Sequence, residues 1–263
     1  MKKYLVVGNP VEHSLSPKLH NYWIKKYNID AVYEKKKLNS DNLKELILEI
    51  REKKIYGVNV TVPFKKEIIT YLDKLSSEAE STQSVNTIYL DNDKVIGHNT
   101  DIDGFKMAVE QTKSLLANKK IFILGAGGVV PSIICALKKM NVSQITISNR
   151  TKNKAENLKD LFNDIKIVNW GEITDFDMII NATSLGLNKN DMIDIDLPKL
   201  DKGKLFYDVI YNPKETNFLK NAKINKNYTE NGKNMFIYQA ALAFKIWHNV
   251  DPDINEEVNK LLD

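Results

Sequence analysis

The stretch Ile121-Phe122-Ile123-Leu124-Gly125-Ala126-Gly127-Gly128-Val129-Val130-Pro131 decides how the chain is read. Four apolar residues closed by glycines have the pattern of a buried strand, and an apolar helix follows as far as Met140. After a short polar break, Gln144–Ser148 reads as the next strand. Strand, glycine-rich turn, helix and strand in this order make one unit of a doubly wound parallel sheet. Further strands are expected at 165–168, Met178–Asn181 and 205–209, extending that sheet.

The turn has the physics of an anion site. Gly125 permits the tight bend, and Gly127 lets the backbone approach a pyrophosphate with no Cβ in the way. The helix that follows offers N–H groups and its positive dipole end. Gly125, Ala126, Gly127, Gly128 and Val129 are therefore the expected dinucleotide contacts. The sixth position of the pattern is Val130 rather than Gly or Ala, which loosens the helix–strand approach expected there.

The end of the second strand chooses the cofactor. An Asp or Glu there would hydrogen-bond the adenosine ribose 2′-hydroxyl. The chain instead reads Ser148-Asn149-Arg150-Thr151, with Lys152 and Lys154 just beyond. A carboxylate repels a 2′-phosphate, whereas a guanidinium fork, a hydroxyl and an ammonium bind it. NADP rather than NAD is the expected cofactor, with Asn149, Arg150, Thr151 and Lys154 at that end.

Residues 1–100 alternate strand and helix signals in a different way. A strand is expected at 4–8, then a helix with Ser16 as its cap and Pro17 at its first position. Leu19, Trp23 and Tyr27 give that helix one buried face. A strand at 31–38, a helix at 41–53, a strand at 56–62 and a helix from Pro63 to Tyr71 follow. Strands at 87–90 and 94–97, joined by Asp91-Asn92-Asp93, form a hairpin. A helix at 103–116 leads out of this region, and one at 234–249 ends the chain with Phe236, Phe244 and Trp247 on its apolar side.

Polar residues gather where these strands end. Asn59 and Thr61 share one face of their strand, and Ser14, Ser16, Lys65, Asn86 and Asp101 lie at other ends. Taken singly, each has an ordinary reading: Ser16 a helix cap, Asn86 a turn residue, Lys65 a surface lysine, Asp101 an N-cap. Their convergence points to a site for a polar small molecule.

Composition narrows the partners. The chain has 263 residues with 43% hydrophobic and 27% charged, enough for one large or two ordinary α/β domains. No apolar run is long enough for a membrane span, and the N-terminal apolar run is too short for a secretory signal. The formal charge is +4, yet only Arg51 and Arg150 are arginines and 36 residues are lysines spread along the chain. A nucleic-acid binder would concentrate arginine forks, so no nucleic-acid partner is expected. The single Cys135, expected to be a buried helix residue, leaves no disulfide framework and suits the cytoplasm. The four histidines lack metal-ligand spacing, so no metal is expected.

In its motifs the chain resembles the shikimate dehydrogenase family. The matching segments are 8–10 with 13–17, 59–65, 85–87, 99–101 with Gly104-Phe105, 125–128, 149–151, 181–186, 207–213, Gly232, Met235 and Gln239-Ala240. They run in order across essentially the whole chain. The resemblance implies a mixed-sheet substrate domain, 1–102 with 234–263, and a Rossmann-like NADP domain, 103–233. It implies reversible reduction of 3-dehydroshikimate to shikimate in aromatic biosynthesis. Position by position, it puts Ser14 and Ser16 on the substrate carboxylate. It gives Asn59, Thr61, Asn86, Asp101 and Gln239 to the ring hydroxyls, with Tyr211 alongside. It sets Thr183, Ser184, Val209 and Gly232 on the nicotinamide side.

Reducing a ketone leaves an alkoxide that needs a proton, and Lys65 with Asp101 is the expected pair for it. In the oxidation direction, neutral Lys65 or Asp101 itself accepts the proton. A quinate/shikimate dehydrogenase of broader specificity and a non-catalytic metabolite sensor on the same fold are the alternatives. A folate or amino-acid dehydrogenase fails to explain Ser14, Ser16 and the 59–65 segment. The sequence leaves monomer and homodimer both open.

Overall fold

The computed structural model describes residues 1–112, 114–193 and 202–263. The buried positions 4–8 make β1 (Lys2–Gly8) an inner strand. After α1 (Ser16–Lys26) the chain adds β2 (Ala31–Lys37) parallel to β1 on one side. After α2 (Leu43–Arg51) it adds β3 (Gly57–Val60) parallel on the other. β4 (Lys74–Leu75), α3 (Ser77–Thr82), β5 (Thr87–Asp91) and β6 (Lys94–His98) complete a six-stranded mixed sheet of order β2-β1-β3-β5-β6-β4. The β5–β6 hairpin turns on Asn92 and Asp93, both at positive φ, the backbone that a two-residue turn between twisted strands demands.

Several expected elements differ from the observed ones. Ser16 does not cap α1: Leu15 is the cap residue, Ser16 is the first helical residue, and no side chain caps that end. Ser16 N–H is instead taken by the Ser14 hydroxyl. No helix starts at Pro63. The segment is a run of turns ending in a 3-10 helix, Glu67–Tyr71, because Val62 and Lys65 carbonyls accept from Asn9 and Val85 rather than from a helical ladder. A 3-10 turn, Ser40–Asn42, precedes α2.

The second sheet begins after α4 (Asp101–Gln111). That helix stops earlier than expected, where the Thr112 hydroxyl bonds Val109 O and accepts Ser114 N–H, local bonds that compete with helix. Then come β7 (Lys120–Leu124), α5 (Val130–Lys139), β8 (Gln144–Ser148), α6 (Lys152–Glu156), β9 (Lys166–Val168), β10 (Met178–Asn181), β11 (Leu205–Asp208), α7 (Asn217–Ile224) and β12 (Tyr228–Asn231). All six strands are parallel, in the order β12-β11-β10-β7-β8-β9. This is the doubly wound arrangement, with its switch point between β7 and β10. Phe122, Phe176, Phe206 and Phe218 form an aromatic core on one face.

The chain ends with α8 (Lys233–His248) and α9 (Glu256–Leu261). It divides into two compact units, one of Met1–Gly104 with Ile237–Asp263 and one of Phe105–Phe236. In the first unit, Phe244 is buried beside His20 and Trp23, and the half-buried Trp247 donates its indole N–H to Ile88 O. Phe236 belongs to the second unit, where it stacks on Tyr211. Cys135 is half-buried rather than buried. Arg51 has a structural role unseen in sequence: its guanidinium forks onto the Asp73 carboxylate with two 2.8 Å bonds. Among the described residues, no helix is long and apolar enough to cross a membrane.

Candidate functional site

In the first unit, Lys65 Nζ donates to Asp101 Oδ2 at 2.5 Å. Both side chains are nearly buried, at 13% and 7% exposure, so water screens the pair little. Asp101 opens α4 and Lys65 lies in the turns after β3, 36 positions apart in sequence. Asn86 Nδ2 donates to the other Asp101 oxygen at 2.8 Å and to Thr100 Oγ1. Asn86 Oδ1 accepts from Thr100 N and from the Thr87 hydroxyl. Asp101 N–H goes to Asn99 Oδ1, and Asn99 Nδ2 donates to Ser84 O. Two chain segments thus hold the carboxylate and a third holds the Asp101 N–H. Among the described residues Asp101 is the one partner of Lys65 Nζ, which leaves this side chain with further donor capacity.

Asn59 joins the same network from β3. Its Nδ2 donates to Asn86 O and Thr87 Oγ1, and its Oδ1 accepts from the Tyr33 hydroxyl at 2.6 Å. Ser16, at the start of α1, lies near the Tyr33 hydroxyl. No individual role was expected for Tyr33, Thr87, Asn99 or Thr100, although the last three lie in the matching segments 85–87 and 99–101; Tyr33 comes from β2, two strands from β3, and the others from β5 and the chain after β6. Ser14 is half-buried beside Ser16, and Thr61 follows β3 with its N–H on Val7 O. Gln239 of α8 approaches α4 at Gly104, where a Cβ would meet Gln239 backbone at 2.9 to 3.0 Å. Only a glycine lets these two backbones come so close.

In the second unit a cavity of about 270 Å³ opens at the carboxyl ends of β7, β8 and β10. Gly125, Ala126 and Gly127 line it, as do Asn149, Arg150, Thr151 and Lys154, and Thr183 and Ser184. Gly128, Val129, Val209 and Gly232 do not. Val129 is the residue before α5, and Gly232 lies against the Val209 carbonyl. Ala182, Leu185 and Trp170 line the cavity without having been expected. Gly125 sits at φ +111°, and a side chain there would also strike Ala182 O.

Gly127 is different. It lines the cavity, and the nearest atom to a Cβ there is Ala182 O at 3.8 Å. Protein packing therefore does not require glycine at 127, whereas a phosphate lying against the backbone does. The donors lie in the turn itself, since α5 gives little: Val130 N–H is on Gly127 O and Pro131 has none. With Arg150 and Lys154 on the far side, the residues fit a dinucleotide carrying a 2′-phosphate.

A buried relay fixes the cavity wall. Thr183 N and Oγ1 both donate to Asn181 Oδ1, at 3.1 and 2.7 Å. Asn181 Nδ2 donates to Asp208, whose other oxygen takes the Thr216 hydroxyl at 2.6 Å. Burial pushes the Asp208 carboxyl above its ordinary range, while its three hydrogen bonds act against that.

Fold and cavity together define a two-domain α/β oxidoreductase that uses NADP. Three family models match the chain: the shikimate dehydrogenase substrate binding domain over 6–88, shikimate / quinate 5-dehydrogenase over 106–222, and the shikimate 5′-dehydrogenase C-terminal domain over 232–256. A shikimate dehydrogenase (NADP(+)) of Pelagibacter ubique is 60% identical over 262 residues, spanning 100% of this chain and 99% of that one. A crystal structure of a shikimate dehydrogenase in complex with NADP+ superposes with a TM-score of 0.92 at 38% identity, covering 100% of this chain and 94% of the other. The shikimate 5-dehydrogenase of Thermus thermophilus, in complex with NADP(H) and shikimate, gives 0.90 at 28% identity, covering 100% and 98%. The chain belongs to the shikimate dehydrogenase family.

Proposed function

We infer that the protein interconverts 3-dehydroshikimate and shikimate with NADP(H), a step of aromatic biosynthesis. The carrying observation is the 2.5 Å Lys65–Asp101 pair inside a polar network. NADPH, when bound, supplies the hydride. The chain itself must hold the substrate and manage one proton. Lys65 Nζ, aimed by Asp101, donates to the substrate oxygen as negative charge develops on it. In the reverse direction the same pair takes the hydroxyl proton.

Ser14, Ser16, Asn59, Thr61, Asn86, Tyr211 and Gln239 are proposed to bind substrate. For Asn86 and Asn59 the contribution is largely to hold Asp101 and the neighbouring strands, because most of their polar capacity is already matched within the protein. A ligand lacking a hydroxyl would leave unpaired those site groups whose polar capacity is not matched within the protein, which is how a site of this kind rejects analogues. A cytoplasmic setting fits the single thiol.

Initial rates of NADP+ reduction with shikimate and with quinate, side by side, test the function. Turnover with shikimate and little with quinate supports it. Comparable rates with both make it a broader quinate/shikimate enzyme, and no turnover from folded, ligand-binding protein makes it a sensor.

A further inference from the structure

Phe122, Phe176, Phe206 and Phe218 pack into the core of the second sheet, but Trp170 stays 38% exposed. Its backbone is fixed all the same. The Ser148 hydroxyl at the end of β8 donates to Asn169 O at 3.0 Å, and the Asn169 N–H and side chain reach the Glu172 carboxylate. The indole lines the same cavity as Arg150 and Lys154, and among the described residues no ring and no cation stacks on it. A large aromatic side chain thus stays part-exposed at the cavity, and none of the described residues stacks on it.

The strand order says what covers it. Across the carboxyl edge of the sheet, Thr183 follows β10, the glycine turn follows β7, Arg150 follows β8 and Trp170 follows β9. A dinucleotide with its pyrophosphate at the glycine turn and its 2′-phosphate at Arg150 continues outward from the ribose to its base. The next chemistry in that direction is the indole. We propose that Trp170 is a cofactor-binding residue whose ring stacks on the adenine of NADP(H). This rests on the NADP assignment above, and it adds a base-recognition surface to the phosphate contacts.

The test uses adenosine 2′,5′-bisphosphate and ADP as probes, titrated calorimetrically into the full-length protein and into Trp170→Ala and Trp170→Phe. Base–aromatic stacking makes the expected loss in Trp170→Ala about 10-fold in Kd for the bisphosphate, with most of it restored in Trp170→Phe. The fold should survive, since the side chain is outside the core, and an unchanged thermal midpoint checks this. Intrinsic fluorescence gives a second readout, because Trp23 and Trp247 lie in the other unit. Quenching by the bisphosphate is expected in the wild type and should vanish in Trp170→Phe. Wild-type affinity in Trp170→Ala, or quenching that persists in Trp170→Phe, overturns the proposal. If the wild type binds ADP as tightly as the bisphosphate and Trp170→Ala weakens both, the stacking stands and the NADP assignment falls. Binding of neither probe overturns both.

Discussion

Asp101 shows how much a single carboxylate can organise. One oxygen aims Lys65, the other is held by Asn86, and its N–H is tied to Asn99. In Asp101→Asn, the amide removes the anionic partner and can set an NH₂ group against that of Asn86. The expected result is a fall of about 10²-fold in kcat with a raised KM for shikimate, read from steady-state kinetics. Arg150 carries the second residue-scale prediction. Replacing it with Asp sets a carboxylate where the 2′-phosphate should lie, so the preference for NADPH over NADH should drop by about 10- to 100-fold, the range of one lost charge-assisted bond with added repulsion. An unchanged kcat/KM ratio for the two cofactors would deny Arg150 that role. Lys65, Asp101 and Arg150 stood out in the sequence because each is a charged residue beside a strand end. Tyr33 and Trp170 did not, since an aromatic in a strand and another in a polar turn carry no local mark of what they face.

At the scale of elements, local signals were readable where they were strong and were missed where tertiary contacts decide. The β7–turn–α5–β8 unit lies where glycines and an apolar run place it, within a residue at each end. α3, α7 and α9 were overlooked because they are short, six to eight residues each. Their caps were nonetheless written in the chain: Ser76 accepts from Ala79 N–H, Thr216 from Leu219 N–H and Asn255 from Glu257 N–H. The segment after Pro63 was misread because long-range bonds to Val62 and Lys65 carbonyls hold it in turns. The approach of α4 to α8 makes a prediction. In Gly104→Ala the new methyl meets Gln239 backbone, which cannot move as a side-chain tip can. Overpacking of this kind costs about 1–3 kcal/mol, measurable by denaturant unfolding. KM for shikimate should rise with it if Gln239 binds substrate.

For the molecule as a whole, acid stability follows from two histidines of the first unit, one buried and one half-buried. His20 is fully buried, stacked on Tyr33 with neither ring nitrogen hydrogen-bonded, and burial pushes it down to about 3. His248, less deeply buried, is pushed down to about 4 by burial and by the Lys2 charge. In the unfolded chain both titrate near the ordinary histidine value of about 6.5. Below that pH the unfolded state binds more protons, so stability falls as pH drops, by about 1.4 kcal/mol per unit for His20 until its native value is reached and by less for the more exposed His248. The buried Asp208 and the half-buried Glu230 are raised instead and act with the opposite sign. Comparing urea midpoints of wild type and His20→Phe between pH 6.5 and 4.5 isolates the histidine, and the variant should have the shallower decline.

The two units also divide the proposed chemistry: the Lys65–Asp101 pair belongs to the first and the cavity at the glycine turn to the second. Steady-state NADP+ reduction by shikimate in Lys65→Ala, with NADP+ affinity measured on the same protein, tests that account most directly. It predicts a fall in kcat of about 10²- to 10⁴-fold, a small change in KM for shikimate and an unaltered Kd for NADP+. Near-normal kcat with a large rise in KM would contradict it and leave Lys65 a binding residue.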